Sequence, residues 1–299
     1  MSVIEEAVEK IEDWKGKNVS IEALSGGLTN TNYKVTVDGK PFFVRVPGES
    51  TNLLAVDRKN EHFNSRAAAE AGVGPQVLYH LPEYNVMVLE FIEGKTMSKD
   101  ALSAPGMPTR MAQAIKQLHR GPRFLTDFNM FRLTEYYLKL CDERDIPIPD
   151  GYLTRIPIVN EIEKNMSVKP LQNVPCNNDL LAENYIDDGN SLRLIDYEYS
   201  GNNDPCFELG NTCQEMEFNE EQIREVCAAY FGEASNSMIA RMKLNMIMSD
   251  VGWGLWAAIQ EKISTIEYDF WGWAIERWGR AVEKMDSVEF PVWQKDIQR

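Results

Sequence analysis

Residues 175–199 read PCNNDLLAENYIDDGNSLRLIDYEY, and this stretch decides how the rest of the chain is interpreted. Asp179 and Asn184 lie five residues apart and come just before a tight turn that is centred near Gly189. Asp196 follows the strand that returns from this turn. The order predicts a β-hairpin with polar side chains collected at its open end.

Asn184 is expected to face about residue 194 across this hairpin, so Asn184 and Asp196 should meet. Carboxylate and amide oxygens are ligands that Mg²⁺ prefers, and Asp179 is free to accept a proton from an attacking hydroxyl. A base and metal ligands are what phosphoryl transfer requires. A polar turn followed by an edge strand would explain any one of these residues alone, but the combined spacing favours catalysis.

A second pattern lies nearer the N-terminus, where Gly26 and Gly27 separate two segments with strand periodicity. Paired glycines let backbone N–H groups close over phosphates, although a plain β-turn explains such a pair equally well. Arg45, on the strand that follows, could pair with phosphate oxygens, and Glu61 on the next helix could orient it. The order of the three elements is that of a kinase nucleotide site.

The third pattern is aromatic. Trp253 and Trp256 are three residues apart on one predicted helix, and Trp273 belongs to a further group of tryptophans downstream. Core packing is the ordinary explanation of such a stripe. The alternative is a cage that holds a quaternary ammonium by cation–π attraction, which Tyr199 and Glu215 could complete.

The composition indicates which classes of binding partner suit the chain. The chain has 299 residues, with 31 Lys and Arg against 46 Asp and Glu, so its net charge is −15. Such a chain is a poor partner for nucleic acid or an anionic membrane, and a cationic substrate suits it better. It has no apolar stretch near 18 residues and an acidic N-terminus, which predicts no membrane insertion. Five cysteines without a C-x-x-C pair indicate neither disulfides nor zinc, and favour a cytoplasmic setting.

The periodicity predicts an α+β protein with a strand-rich unit over residues 1–93 and a mostly helical unit over 94–299. Asp38-Gly39 between two β-rich runs predicts a hairpin. Two further strands are expected over 75–79 and 85–92. Helices are expected over 2–13, 57–71, 108–119, 131–142, 159–166, 220–231, 236–262 and 267–285.

Taken together, the three patterns resemble the choline/ethanolamine kinase family, within the wider aminoglycoside phosphotransferase and protein-kinase-like superfamily. The residues that carry the resemblance are Asn178-Asp179 with Asn184, the segments 195–199 and 207–211, and Trp253-Gly-Leu-Trp256 with 262–267. The resemblance implies a two-lobed kinase-like fold, with a small antiparallel-sheet lobe and a larger helical lobe. It also implies ATP as co-substrate and Mg²⁺ as cofactor.

The resemblance implies a role for each matched position. Asp179 would be the catalytic base, Asn184 and Asp196 the Mg²⁺ ligands, and Glu198 a support of the metal site. The implied nucleotide-binding residues are Gly26, Gly27, Asn30, Thr31, Asn32, Arg45, Glu61, Glu90 and Ile92. The implied substrate-binding residues are Tyr199, Glu215, Trp253, Trp256 and Trp273.

One departure is Asn177, which stands where the family usually has His, and which could replace the hydrogen bond that braces the loop. The expected reaction is transfer of the ATP γ-phosphoryl group to the hydroxyl of choline. A sister kinase acting on ethanolamine, an aminoglycoside or thiamine remains an alternative, as does a pseudokinase that binds choline or nucleotide without chemistry. A homodimer is possible.

Overall fold

The computed structural model describes residues 2–24, 27–48 and 51–299, except for the side chains of Thr51 and Asn52. Its strands are β1 (Val19–Leu24), β2 (Asn30–Val37), β3 (Lys40–Pro47), β4 (Val77–Leu81), β5 (Val86–Glu90), β6 (Lys95–Thr96), β7 (Val174–Cys176), β8 (Tyr185–Asp187), β9 (Leu192–Leu194) and β10 (Gly201–Asn203). Its α-helices are α1 (Val3–Lys10), α2 (Arg58–Glu70), α3 (Lys99–Leu102), α4 (Met107–His119), α5 (Met130–Glu143), α6 (Ile156–Met166), α7 (Pro205–Glu215), α8 (Glu220–Phe231), α9 (Asn236–Ile263), α10 (Phe270–Met285) and α11 (Phe290–Asp296).

The N-terminal part is an antiparallel five-stranded sheet in the order β1-β2-β3-β5-β4. The predicted hairpin between β2 and β3 is confirmed. Asp38 and Gly39 both have positive φ, 49° and 84°, the backbone that two-residue hairpin turns require. Val35 and Val44, which are almost fully buried, face Trp14 and the residues of α1 in one hydrophobic cluster. Alternation along the strands therefore buries one side of the sheet beneath the N-terminal helix.

The C-terminal part is helical and is organised around α9, which is buried from Ile239 to Gln260. Its neighbours α5, α7 and α10 pack against it, so α9 has no polar face and no helical periodicity in its burial. Among the described residues, no helix combines the length and apolar character that a membrane crossing needs.

Two small β structures interrupt the helices. The predicted hairpin is confirmed as β8 and β9, with Tyr185 opposite Leu194. Beyond the paired strands, the backbone oxygen of Asn184 accepts a hydrogen bond from Ile195 N at 3.0 Å. Asn184 therefore faces residue 195, one position later than the spacing predicted. The other structure is the antiparallel pair of β7 and β10, which brings the segment before Asp179 beside residues 201–203.

Some elements differ from the sequence-based prediction. Helix α7 was not predicted, because all of its residues are buried and its sequence shows no amphipathic stripe. Its start does carry the expected signals, since the Asp204 side chain accepts a hydrogen bond from Cys206 N and Pro205 is the first helical residue. Helix α11 was also missed, and α1 is shorter than expected. The strand-rich and helical parts agree with the α+β expectation, and the lobe boundary at 93/94 stays a prediction.

The contact between α7 and α9 gives a test of the packing. A Cβ added at Gly210 would lie 2.6 Å from the backbone oxygen of Met242. Because that contact is with backbone, the helices must separate, and we expect Gly210→Ala to lower the free energy of unfolding by about 1–3 kcal/mol. Chemical denaturation measures this change.

The matched control is Gly279→Ala in α10, where the added Cβ would have no neighbour within 4 Å. Removing a glycine from an exposed helix interior should stabilise the protein by about 0.5–1 kcal/mol. Equal effects of the two substitutions would contradict the proposed close packing of α7 on α9.

Candidate active site

The loop that carries Asp179 is held by buried side-chain amides. Asn177 donates from Nδ2 to the backbone oxygens of Ile195 and Asp196, at 3.1 and 2.7 Å. Its Oδ1 accepts the backbone N–H of Asp179 at 3.1 Å. One fully buried amide thus ties the Asp179 loop to the end of β9, and the departure from the family's usual His leaves the loop braced.

The next residue, Asn178, has a positive φ of 70°, which is uncommon for a residue other than glycine. Its backbone N–H donates to Oε2 of Glu208, a fully buried carboxylate of α7, at 2.7 Å. Its side chain donates to the backbone oxygen of Tyr199 and accepts from Asn203. These bonds hold a strained backbone in place, which is common where a loop must present a reactive side chain.

The structure brings the three predicted catalytic and metal-binding residues together. Asn184 donates from Nδ2 to the backbone oxygen of Asp179 at 2.7 Å, which leaves its Oδ1 available as a ligand. Asp196 has a positive φ of 65° and lies directly after the residue that pairs with Asn184. The open end of the β8–β9 hairpin therefore carries the acids and the amide that the sequence placed there.

A network of charges connects this site to the N-terminal sheet. Arg45 pairs with Glu61 and, at 2.9 Å, with Asp196. Arg58 pairs with Glu61 at 2.7 Å and with Glu198 at 3.3 Å. Three carboxylates thus face two guanidinium groups, and the excess negative charge suits a cation at this position.

The loop between β1 and β2 is attached to the same network. Thr29 Oγ1 and Asn30 Nδ2 donate to the two oxygens of Glu198, at 2.6 and 2.9 Å. Gly27 has a φ of 100°, and a Cβ there would meet Asn30 O at 3.0 Å. Glu198 therefore contacts the predicted nucleotide loop directly, although the sequence suggested only a role at the metal.

The remaining predicted nucleotide residues are spread along the sheet. Thr31 and Asn32 lie on β2, where Asn32 pairs in register with Arg45. Glu90 ends β5, and its carboxylate accepts the backbone N–H of Gln76 at 3.1 Å. Ile92 lies two residues after Glu90 and is half-buried. Gly26 lies outside the described residues.

Burial changes the acid–base properties of the site. It raises the pKa of Asp179 well above its usual range, and the nearby negative charges of Asp196, Glu215 and Glu198 raise it further. Burial, with repulsion from Asp196, raises the pKa of Glu198 to about 7 in spite of its guanidinium neighbours. Both acids are thus more basic than a free carboxylate.

The predicted aromatic residues form one cluster beside the site. Trp256 Nε1 donates to the Tyr199 hydroxyl at 2.6 Å, and the Trp253 and Tyr199 rings meet edge to face with centroids 4.9 Å apart. Trp273 meets Trp256 in the same manner at 5.8 Å. Trp253 and Trp256 are only 4% and 6% exposed, so the cluster is closed and joins the core as well as the site.

The predicted substrate residue Glu215 lies next to this cluster, but its carboxylate is already paired with an arginine. Both of its oxygens accept hydrogen bonds from Arg277, at 2.7 and 3.0 Å. The Arg277 guanidinium also lies over the Trp273 ring, 4.3 Å from its centroid.

Sequence reasoning missed three residues that organise the site, namely Arg58, Glu208 and Arg277. Arg58 precedes Glu61 by three residues at the start of a helix, a spacing that predicts an ion pair. Glu208 and Arg277 had no comparable signal, because their partners lie 30 and 62 residues away in the chain.

Comparison with known proteins identifies the family of this chain. The sequence model of the family described as choline/ethanolamine kinase matches residues 21–281. A choline/ethanolamine kinase family protein from Mesorhizobium loti is 32% identical, superposes with a TM-score of 0.87, and is covered over 99% of both chains. Choline kinase LicA from Streptococcus pneumoniae is 27% identical with a TM-score of 0.80, covering 95% of this chain and 99% of its own.

Mouse ethanolamine kinase 1 is 27% identical in an alignment 316 positions long. That alignment covers 92% of this chain and 86% of the mouse protein. A further structure of LicA, solved in complex with AMP, covers 94% of this chain and 97% of its own, with 26% identity and a TM-score of 0.75. Relatives described as choline kinases and as ethanolamine kinases thus match similar shares of the chain.

Fold and site together define a protein of the two-lobed, protein-kinase-like class, a kinase that transfers a phosphoryl group to an alcohol. Within that class, the chain belongs to the choline/ethanolamine kinase family. The sequence-based predictions of fold and family are confirmed, whereas the roles of single residues stay predictions.

The brace at Asn177 can be tested directly. Asn177→Ala leaves two backbone oxygens and the Asp179 N–H without partners, so we expect a loss of about 1–3 kcal/mol in the free energy of unfolding. Turnover should fall by at least about tenfold, because the Asp179 side chain loses its fixed position. Denaturation and steady-state kinetics measure the two effects.

The control is Asn190→Ala in the exposed turn between β8 and β9, where only the backbone of Asn190 makes a hydrogen bond. Its stability should change by no more than about 0.5 kcal/mol. An Asn177→Ala protein as stable and active as this control would exclude the bracing role.

Proposed function

We propose that the protein is an ATP- and Mg²⁺-dependent choline kinase, which forms phosphocholine and ADP. One observation carries the proposal. The Asp179 loop, held against Asn184 and Asp196, lies beside an aromatic cluster that contains Tyr199 and Trp256. Phosphotransfer residues and a surface for a methylated ammonium thus share one site.

Asp179 is the proposed general base. Its carboxylate receives the proton of the choline hydroxyl as that oxygen attacks the γ-phosphorus. The raised pKa of Asp179 supports this role, because a more basic carboxylate accepts a proton more readily. The fixed loop supports it as well, since the reacting hydroxyl must be aligned with the phosphoryl group.

Asn184 and Asp196 are the proposed Mg²⁺ ligands, with Glu198 in support. The donor set fits the ion, because it consists of hard oxygens beside an excess of negative charge. Bound Mg²⁺ would neutralise charge on the phosphate oxygens. The amide of Asn184 is held by its bond to the Asp179 backbone, which keeps base and ligand in one unit.

The proposed cover of the ATP phosphates consists of Gly27, in the loop before β2, and of the first residues of β2, namely Asn30, Thr31 and Asn32. The hydrogen bond from Asn30 to Glu198 supports this, because it ties the start of β2 to a side chain of the proposed metal site. Arg45 is proposed to meet the phosphates, with Glu61 holding its guanidinium. Gly26 completes the proposed loop. Glu90 and Ile92 are proposed to lie at the adenine, and the AMP complex of LicA supports an adenine nucleotide.

Tyr199, Glu215, Trp253, Trp256 and Trp273 are the proposed substrate pocket. Ring faces bind a trimethylammonium group without N–H donors, whereas a primary ammonium needs free acceptors. The ring-lined cluster therefore favours choline over ethanolamine. Because mouse ethanolamine kinase 1 is among the relatives, ethanolamine is the second candidate. Homodimer formation and a cytoplasmic location stay predictions.

The substrate is tested by measuring ADP release with choline, ethanolamine, thiamine and an aminoglycoside, each with and without Mg²⁺. We expect Mg²⁺-dependent turnover with choline at the highest kcat/KM, because the proposed pocket offers ring faces. Ethanolamine as the best substrate would select the second candidate. No turnover with any of them would favour the pseudokinase alternative.

The base is tested with Asp179→Asn, which keeps the size of the side chain but cannot accept the proton. We expect kcat to fall by about 10²–10⁴-fold while ATP still binds. Nucleotide titration and ADP release measure the two quantities. Asp188→Asn in the hairpin turn is the matched control and should keep full turnover, and a wild-type rate in Asp179→Asn would remove Asp179 from the mechanism.

A further inference from the structure

A second charged group lies at the wall of the proposed pocket. Arg277, on α10, is only 1% exposed, so its charge must be compensated by protein groups. Its two terminal nitrogens donate to the two oxygens of Glu215, at 2.7 and 3.0 Å. This paired arrangement is the strong geometry of an arginine–carboxylate bond, and it engages both oxygens of Glu215.

Arg277 has a second carboxylate neighbour, Asp250, which it shares with Arg280. Arg277 Nη1 also donates to Asp250 at 3.3 Å, and Arg280 donates to the same carboxylate at 2.6 and 3.2 Å. Two carboxylates therefore face two guanidinium groups. Arg280 makes the shorter bond to Asp250, which leaves Arg277 to engage both oxygens of Glu215.

The position of Glu215 on α7 explains why its bond to Arg277 matters for the proposed pocket. One turn earlier on the same helix, Asn211 Oδ1 accepts the indole N–H of Trp253 at 3.1 Å. Residues four apart share one face of a helix, so Glu215 and Asn211 face the same aromatic cluster. Arg277 covers one face of Trp273 from the same side.

We propose that Arg277 is a specificity-determining residue, which engages Glu215 and thereby makes the pocket select a methylated ammonium over a primary one. This inference rests on the proposed function. A primary ammonium must exchange its bonds to water for protein acceptors, and both oxygens of Glu215 are already bonded. A trimethylammonium needs no acceptor and binds to the remaining ring faces.

The experiment compares kcat/KM for choline and ethanolamine in the wild-type protein and in Arg277→Met. Loss of the guanidinium frees Glu215, so the choline-to-ethanolamine ratio should fall at least tenfold, chiefly through a lower KM for ethanolamine. The KM for ATP should not change. An unchanged ratio, or an equal loss with both substrates, overturns the inference, because a merely structural role predicts it.

The double variant Arg277→Met/Glu215→Gln separates specificity from stability. If the freed Glu215 carboxylate lowers the choline-to-ethanolamine ratio, its replacement by a neutral amide should raise that ratio again. No recovery overturns the inference. Arg280→Met is the control, because Arg280 contacts Asp250 but neither Glu215 nor Trp273, and its ratio should equal that of the wild type.

Arg277→Lys keeps the positive charge, and it is the alternative test if the Arg277→Met protein does not fold. One ammonium cannot hold both oxygens of Glu215, so the ratio should fall at least threefold, and a constant ratio contradicts the inference. A wild-type protein that prefers ethanolamine overturns this inference but leaves amino-alcohol kinase activity intact. Absence of turnover with both amino alcohols instead contradicts the proposed function.

Discussion

Pairing of buried charges is the constraint on which the rest of this structure depends. Arg45, Glu61 and Glu198 are nearly inaccessible to water, and an ion in such a place is stable only beside an opposite charge. Removing one partner of such a pair typically costs about 3–5 kcal/mol, so sheet, helix α2 and the segment after β9 are held in one arrangement. The same arrangement fixes Asp196 against Arg45.

Two residues of the site have a strained backbone. Asn178 and Asp196 both have positive φ, a conformation that costs of order 1–3 kcal/mol for residues with a side chain. Buried bonds from Asn177 and Glu208 offset that cost. The loop is therefore rigid before any ligand arrives, which lowers the reorganisation that phosphoryl transfer requires.

The aromatic cluster combines hydrophobic packing with satisfied polar groups. Trp253 and Trp256 belong to the largest hydrophobic core, yet their indole N–H groups are satisfied by Asn211 and Tyr199. Core packing is therefore observed for these rings, and the substrate surface that the sequence offered as the alternative stays a prediction. The ion pairs that Arg277 of α10 makes with Glu215 of α7 and Asp250 of α9 bring these three helices together.

The sequence by itself determined the local features of this protein. The turn residues at Asp38-Gly39 and near Gly189 determined two hairpins, and the spacing of Asp179, Asn184 and Asp196 brought these residues to the open end of the second hairpin. These predictions succeeded because each depends on backbone geometry over a few residues. Only the tertiary structure decided that α7 is a helix buried on every side, and that Glu215 is bonded to Arg277, 62 residues away. Periodicity cannot reveal a helix without a polar face, and long-range ion pairs leave no mark in local sequence, because they form only when packing brings distant helices together.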